Sequence, residues 1–412
     1  MKNNPTLTIF YQFNPWSSSI GGIQTFICCF LKYAPVELEV RLVGTGDRKS
    51  AIGQWSEKDF AGRTIKFMPV VRVENDDVRH IVPTTLKYTH ALSKHDFSSD
   101  FMHFNRLEAA LASRKWQGEK TLFVHNDIQK QMSSSDGNNA ILWQKFPALY
   151  FALESYLIGQ FDHIYSCHTE TAEFYQQKYP NLASSITYLE NTVDEEIFYP
   201  LYADKQVQSR NLAKEMGLAE NTRFLLFAGR LHPQKDPLLL IDAFANLNEP
   251  DTHLLIAGAG ELEPELRLKI ADAGLTAKVT LLGAVPQAKL ATLHRVSSVF
   301  VLSSVYEGLP LTVLEALSSG TPVVTTNSGE TPNFLTADSG IVCEERTPKA
   351  IADALRQVLQ NPEQYLSTAC VRTAKPYSAK TVVGKVYQDM LQRWESKNSA
   401  GLDANQHLSL AS

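Results

Sequence analysis

The sequence predicts an α/β protein made of two doubly wound, Rossmann-like parallel-sheet domains whose facing strand ends make a cleft. Three observations predict it. Short apolar runs rich in β-branched residues alternate along the chain with segments of helical periodicity. The runs are apolar throughout rather than every second residue, as in strands buried on both faces by crossover helices. The series is interrupted once, by a polar stretch at about residues 200–220 (YADKQVQSRNLAKEMGLAENT), which reads as a linker carrying a short helix. Two such series joined by a linker mean two domains.

The elements follow in order. Strands are expected at LTIFY (7–11), VRLVG (40–44), IKFMPV (65–70), DFMHF (100–104), TLFVH (121–125), HIYSC (163–167) and ITYLE (186–190), with helical patterns at 22–33, 84–94, 139–160 and 169–179. The second series has RFLLFAG (223–229), HLLIAG (253–258), VTLLG (279–283), VFVLS (299–303), PVVTT (322–326) and GIVC (340–343). Helices at about 236–247, 261–273, 287–296, 311–319, 348–360 and 378–395 separate or follow them. The expected division is an N-terminal domain at 1–198, a linker at 199–220 and a C-terminal domain at 221–376. A helix at 377–396 can cross back to the first domain, and 397–412 reads as a frayed tail.

Composition bounds the function. The 412 residues suit two or three domains, and 44% hydrophobic against 20% charged residues gives each half an ordinary core. A net charge of −5 lacks the basic excess of a general nucleic-acid binder. Five cysteines, odd in number and without C-x-x-C spacing, argue against a disulfide framework or a zinc site and fit a reducing cytoplasm. The N-terminus has too short an apolar run for a signal peptide. No run approaches the roughly 20 apolar residues of a membrane span. FPALYFALESYLIG is short and contains Glu154.

The most informative stretch is YEGLPLTVLEALSSGTPVV, residues 306–324. Ser304-Val305-Tyr306-Glu307 matches a capping box, but the helix it would start meets Gly308 and then Pro310. A helix starting at Pro310 removes the conflict, since the first helical position needs no N–H partner. Glu307 then lies in the loop after a strand, Gly308 and Leu309 are backbone at a helix start, and Glu315 is on the second turn. Such a helix end favours an anion, and the two carboxylates can accept from hydroxyls. Two readings stand at this level: a phosphate flanked by hydroxyl-bearing groups, as in a nucleotide sugar, or two unrelated surface glutamates.

EGLPLTVLEALSSGTPVV resembles the E-x7-E signature of retaining glycosyltransferases of the GT-B fold, most closely family 4. FAGRLHPQKDPLLLIDAF, LLIAGAGELEPELR, VTLLGAVPQAKLATLHRVSSVFVLSS, SSIGGIQTFI and ENTVDEEIFYP resemble further segments of that family, in its order, over about residues 6–395. The resemblance implies GT-B architecture. It also implies transfer of a sugar from a nucleoside diphosphate donor, UDP or GDP, to an acceptor hydroxyl with retained anomeric configuration, in polysaccharide or glycolipid synthesis. The acceptor would be a saccharide or lipid-linked, with no nucleic acid involved. The enzyme would be cytoplasmic, with room for peripheral contact at the inner membrane face.

The resemblance also implies roles. Arg230 and Lys235, after a strand, would neutralise the diphosphate; the plain alternative is solvated surface cations. Gly21 and Gly22 would let backbone approach a phosphate, or form a simple turn. Glu315 would hold the ribose hydroxyls, Glu307 the donor sugar or its phosphate, and Gly308 and Leu309 their N–H groups. Ala284 and Val285 would border the base. His125, ahead of Asn126 and Asp127, would contact the sugar, through its backbone carbonyl in one version, or be a satisfied structural histidine. His103, His163 and His168 are weaker candidates. No metal or cofactor is expected, the nucleotide sugar being a substrate.

Some features point elsewhere. GAGELE (258–263) lacks its third glycine and has no acidic residue ending the next strand, which disfavours a dehydrogenase. Asn75-Asp76-Asp77 reads as a solvated loop rather than a metal motif. Tyr11, Phe13 and Trp16 could stack on a sugar, touch lipid or fill the core. Where the family has G-G-x-P-E, this chain has Gly329-Glu330-Thr331-Pro332-Asn333, so the contacts of that loop are its own. The rivals are a GT-B nucleotide-sugar epimerase and a non-catalytic nucleotide-sugar-binding protein.

Overall fold

The structure is a computed structural model describing residues 4–17, 21–73, 83–125 and 146–409, with side chains described through residue 399. Asn75-Asp76-Asp77, Asn126, Asp127 and the helical pattern at 139–145 lie outside the described residues. The chain divides into two units, residues 1–190 with 380–412, and residues 191–379.

The first unit is built on an eight-stranded sheet, in the order β3-β4-β2-β1-β5-β6-β7-β8. The strands are β1 Thr6–Phe10, β2 Glu39–Gly46, β3 Ser56–Phe60, β4 Arg63–Arg72, β5 Phe101–Phe104, β6 Glu119–Val124, β7 His163–Ser166 and β8 Ile186–Tyr188. All neighbours pair parallel except β3 with β4. Phe10 stacks on Phe104 at 4.8 Å and on Trp116 at 5.3 Å in one half of its core. Tyr11 and Phe13 are buried in this unit. Trp16 packs on Phe60 and Phe67 and donates from Nε1 to the Asp59 carbonyl at 2.8 Å. Of the readings open for these aromatics, core burial is the one the fold takes for Tyr11 and Phe13, while Trp16 is half-buried.

The second unit is a six-stranded, wholly parallel sheet in the order β11-β10-β9-β12-β13-β14. Its strands are β9 Arg223–Ala228, β10 Thr252–Ala257, β11 Val279–Gly283, β12 Val299–Leu302, β13 Val323–Thr326 and β14 Gly340–Cys343. Phe224, Leu225, Leu226, Leu254, Leu255, Phe300 and Val301 are fully buried, which is why these runs carry no alternation. From β9 the chain winds outward to β10 and β11, then returns to the other side of β9 for β12, β13 and β14. The reversal lies between β9 and β12, the place where open parallel sheets hold ligands outside their C-terminal strand ends.

The segment before β9, placed by the sequence partly in the first domain and partly in a linker, belongs to the second unit. Asn191 Nδ2 donates to the Leu309 carbonyl at 2.7 Å, and the Thr192 hydroxyl donates to the Tyr377 carbonyl at 3.0 Å. The last helix, Ala379–Ser409, belongs to the first unit and continues through the stretch expected to fray.

Candidate functional site

The second unit gathers its chemistry at the C-terminal ends of β9, β12 and β13. The loop after β9 carries Arg230, His232 and Lys235; the loop after β12 carries Glu307, Gly308 and Leu309. These loops are tied together. Val305 N–H donates to the Gln234 carbonyl at 2.8 Å, and the Gln234 side chain returns to the Tyr306 carbonyl at 3.1 Å. The Ser303 hydroxyl is within 3.0 Å of the Lys235 carbonyl and 2.8 Å of that of Asp236. Glu330 N–H, after β13, donates to the Gly308 carbonyl at 2.8 Å. Gly329 has φ +64, and a Cβ there would lie 2.1 Å from the Gly308 carbonyl oxygen, so the close approach requires glycine. The departure at Glu330 and Asn333 is internally consistent: Asn333 Nδ2 donates to Glu330 Oε2 at 2.9 Å.

Glu307 is buried, and its Oε1 accepts from Lys235 Nζ and from the Ser304 hydroxyl, each at 2.5 Å. The S-x-x-E pattern is therefore a side-chain clasp rather than a helix cap. Helix 311–318 begins at Leu311, with Pro310 as its N-cap at φ −70 and ψ 122, one position earlier than the proline's expected role. An extended N-cap suits proline as well as the first helical position does. The N–H groups of Gly308 and Leu309 have no backbone partner among the described residues, and neither does the buried Thr312 hydroxyl. Together with the helix end they form an anion-ready corner.

Glu315, on the next turn, is 6% exposed, and its Oε2 has no hydrogen-bond partner among the described residues. Burial alone pushes its carboxyl up to about 8. An unpaired buried carboxyl costs stability, so its retention marks a site that something else completes. Arg230 is exposed and pairs with no acidic group among the described residues, whereas Lys235 is committed to Glu307. Ala284 and Val285 lie at the end of the edge strand β11, on the same C-terminal side of the sheet. Gly258 and Gly260 are packing glycines: a Cβ at either would meet the Gly229 or Leu231 carbonyl, at 1.8 and 2.3 Å.

Gly21, Gly22 and His125 stand in the first unit. Gly21 is the extended N-cap of helix 22–32, and Gly22 is its first residue. His125 follows β6. Its Nε2 meets Asn105 Oδ1 at 2.8 Å, its Nδ1 lies 3.8 Å from Cys167 Sγ, and its carbonyl accepts from His168 Nε2 at 3.3 Å. Burial holds the ring neutral, down to about 3, so this histidine has the partners of a structural one. Among the described residues no three His, Cys, Asp or Glu are grouped to hold a metal ion, and no helix is long and apolar enough to cross a membrane. Sequence reading marked Ser304 through the S-x-x-E pattern but gave no role to Thr312 or His294, because nothing in local sequence marks a partner supplied by tertiary packing.

Residues 208–375 match the family described as Glycosyl transferases group 1. The matched segment holds Arg230, Lys235, Ala284, Val285, Glu307, Gly308, Leu309 and Glu315. Among curated proteins, a UDP-Gal:alpha-D-GlcNAc-diphosphoundecaprenol alpha-1,3-galactosyltransferase of Escherichia coli is 35% identical over 147 residues, 34% of this chain and 36% of that protein. A D-inositol 3-phosphate glycosyltransferase of Frankia alni is 34% identical over 183 residues, 41% of this chain and 43% of that protein. The chain spans 36% to 46% of the length of such relatives. Among solved structures, sucrose-phosphate synthase from Thermosynechococcus elongatus superposes with a TM-score of 0.76 at 16% identity, over 95% of this chain and 100% of that one. The Anabaena protein HepE, solved with UDP and glucose, gives 0.69 at 16% identity, over 95% and 100%. WaaG, a glycosyltransferase of lipopolysaccharide biosynthesis, gives 0.64 at 15%, over 93% and 99%. At these identities the likeness is one of fold, the two α/β domains of the GT-B class.

Proposed function

We propose that this protein is a retaining glycosyltransferase that moves a sugar from a nucleoside diphosphate to an acceptor hydroxyl. One observation carries the reading. A helix start whose Gly308 and Leu309 N–H groups lack a backbone partner among the described residues is bordered by two buried glutamates, Glu307 held by Lys235 and Glu315 with no hydrogen-bond partner there at Oε2. The N–H groups take the phosphate, Glu315 takes the ribose hydroxyls, and Glu307 faces the sugar. Arg230, which pairs with no acidic group among the described residues, adds a forked donor set to the diphosphate as charge builds on bond cleavage. Charge neutralisation falls to Arg230, Lys235 and the helix end rather than to a metal. No side chain here is placed as a nucleophile. Attack therefore comes from the face of the leaving diphosphate, whose oxygen takes the acceptor proton. The Escherichia coli relative, a UDP-Gal-dependent galactosyltransferase acting on a diphosphoundecaprenol-linked sugar, supports a hexosyl donor and a saccharide or lipid-linked acceptor.

Calorimetric titration with UDP, GDP, ADP and NAD tests the site. One nucleoside diphosphate is expected to bind, with affinity lowered about 10- to 100-fold in Glu315→Ala, the range for losing hydrogen bonds to a buried charged group. Glu307→Ala should keep its fold and lose transfer. Binding of NAD alone, or of no nucleotide, overturns the reading, and a trapped covalent glycosyl-enzyme overturns the mechanism.

A further inference from the structure

The first unit has a reversal of its own. From β1 the chain winds outward through β2, β3 and β4, then returns to the other side of β1 for β5, so that β1 is flanked by β2 on one edge and β5 on the other. The space outside the C-terminal ends of β1 and β5 is therefore a second place where a parallel sheet holds ligands.

Phe10 and Phe104 form the last rung of this strand pair. Gln12 and Arg106 each follow two residues later, and both side chains are half-buried. Each also keeps a buried polar atom with no hydrogen-bond partner among the described residues, Gln12 Oε1 and Arg106 Nε. Arg106 forms no ion pair with an acidic group among the described residues. The groups that act on its charge are Tyr11, whose ring centre lies 6.0 Å from the guanidinium carbon, then Glu108 and Tyr150. Asn105, the residue before it, is already committed, its Oδ1 meeting His125 Nε2 at 2.8 Å. After burial, the largest influence on the His125 ring is the Arg106 charge, so the guanidinium stands near the end of β6 as well.

A solvated surface arginine costs nothing to keep. One whose Nε–H is sealed without a partner has given up a hydrogen bond that water would supply. Gln12 has given up another, of the opposite sense: Nε–H asks for an acceptor, and Oε1 asks for a donor. Resting on the transferase reading, we propose that Arg106 receives the acceptor and that the acceptor is an acidic saccharide. Its oxyanion, a phosphate ester or a uronate carboxylate, accepts from the Nε–H and a terminal N–H of Arg106, the parallel donor pair that fits such a group. Gln12 Oε1 accepts from a hydroxyl beside it. A neutral acceptor leaves the guanidinium edge unpaired.

The probes are glucose 1-phosphate, glucuronate, glucose and inorganic phosphate, titrated into the full chain by saturation-transfer and phosphorus NMR. The nucleoside diphosphate that binds is present at saturation, to fill the anion corner at Gly308 and Leu309. In wild type at least one of the two acidic sugars should bind about 10- to 100-fold tighter than glucose, the range for hydrogen bonds to a charged group. The tighter of the two names the oxyanion. Arg106→Gln should remove that preference, and Arg106→Lys, which keeps the charge without the fork, should fall between. Melting curves check that each variant folds; should Arg106→Gln not fold, the lysine variant decides. Gln12→Met should weaken glucose 1-phosphate about fivefold and leave inorganic phosphate unchanged; equal loss of both would overturn the hydroxyl contact. No preference for acidic sugars in wild type, or the same preference in a folded Arg106 variant, would overturn the proposal and leave Arg106 as packing on Tyr11. Failure of every nucleoside diphosphate to bind would instead overturn the transferase reading beneath it, so the two failures are distinguishable.

Discussion

Glu307 and Glu315 sit eight residues apart in the same stretch of sequence and live in opposite circumstances. Glu307 is satisfied by Lys235 and Ser304. Glu315 is buried, its Oε2 without a hydrogen-bond partner among the described residues and its carboxyl raised from 4.5 to about 8. The sign of the linkage follows. Between those values the unfolded chain has lost the proton and the folded chain has kept it, so stability falls as pH rises from about 4.5 to about 8. Glu315→Gln removes that dependence. The variant should be more stable than wild type at pH 7.5, with the gap growing by up to about 1.4 kcal/mol per pH unit across that window. Urea unfolding at pH 5, 6.5 and 8 checks it; a gap that does not change with pH would mean Glu315 ionises freely in the fold. The spacing of the two glutamates was legible from the turn chemistry between them. Their unequal burial was not, because it depends on helix 287–296 bringing His294 against the second glutamate.

Elements were more legible than contacts. All thirteen expected strands are present, since a continuous apolar β-branched run needs no context to be read. The missed strand is β3, SEKDF, a polar edge strand joined to β4 through Ala61 and Gly62, both at positive φ. That two-residue hairpin usually announces itself with Asn-Gly, and alanine gives no such signal. The short helices 331–334 and 367–374 were also passed over, too brief for a period to register. The loop ahead of helix 331–334 shapes the site through Gly329. Gly329→Ala places a methyl against the Gly308 carbonyl and must displace the 307–309 turn. We expect a folded protein with a lower melting temperature and at least about tenfold weaker nucleotide binding, the size of one lost good hydrogen bond. Gly274→Ala is the control. Its φ is +69 with open space around it, so it should cost only backbone strain, about 1 kcal/mol, at unchanged affinity. Equal affinity in Gly329→Ala and wild type, by calorimetry, would show that this contact does not set the site.

At the scale of the whole molecule the chain leaves its first unit, builds the second without interruption, and returns. The polar stretch at 200–220 suggested a boundary in sequence, whereas the chain divides at 190/191, and the last helix could be read only as able to cross back, since a helical pattern does not name the core it joins. Val382, Val383, Val386, Tyr387 and Met390 of the last helix are buried at 0–3% exposure. The Tyr387 hydroxyl donates to the Phe30 carbonyl at 2.7 Å, and Arg393 Nη2 pairs with Glu119 at 2.7 Å. Five such side chains represent about 7–15 kcal/mol of burial, comparable to the whole stability of an ordinary domain. A chain ending at Ala379 should therefore lose the first unit, with rapid proteolysis confined to residues 1–190, whereas a chain ending at 399 should melt like wild type. The second unit is a different case, a contiguous segment with its own sheet and core. Residues 191–379 expressed alone should fold cooperatively and bind the same nucleoside diphosphate as the full chain. Calorimetry on that fragment separates two sources of affinity. Full-strength binding would mean that the helix start, Glu307 and Glu315 suffice. A folded fragment that binds weakly would mean that these residues alone do not account for the affinity of the full chain.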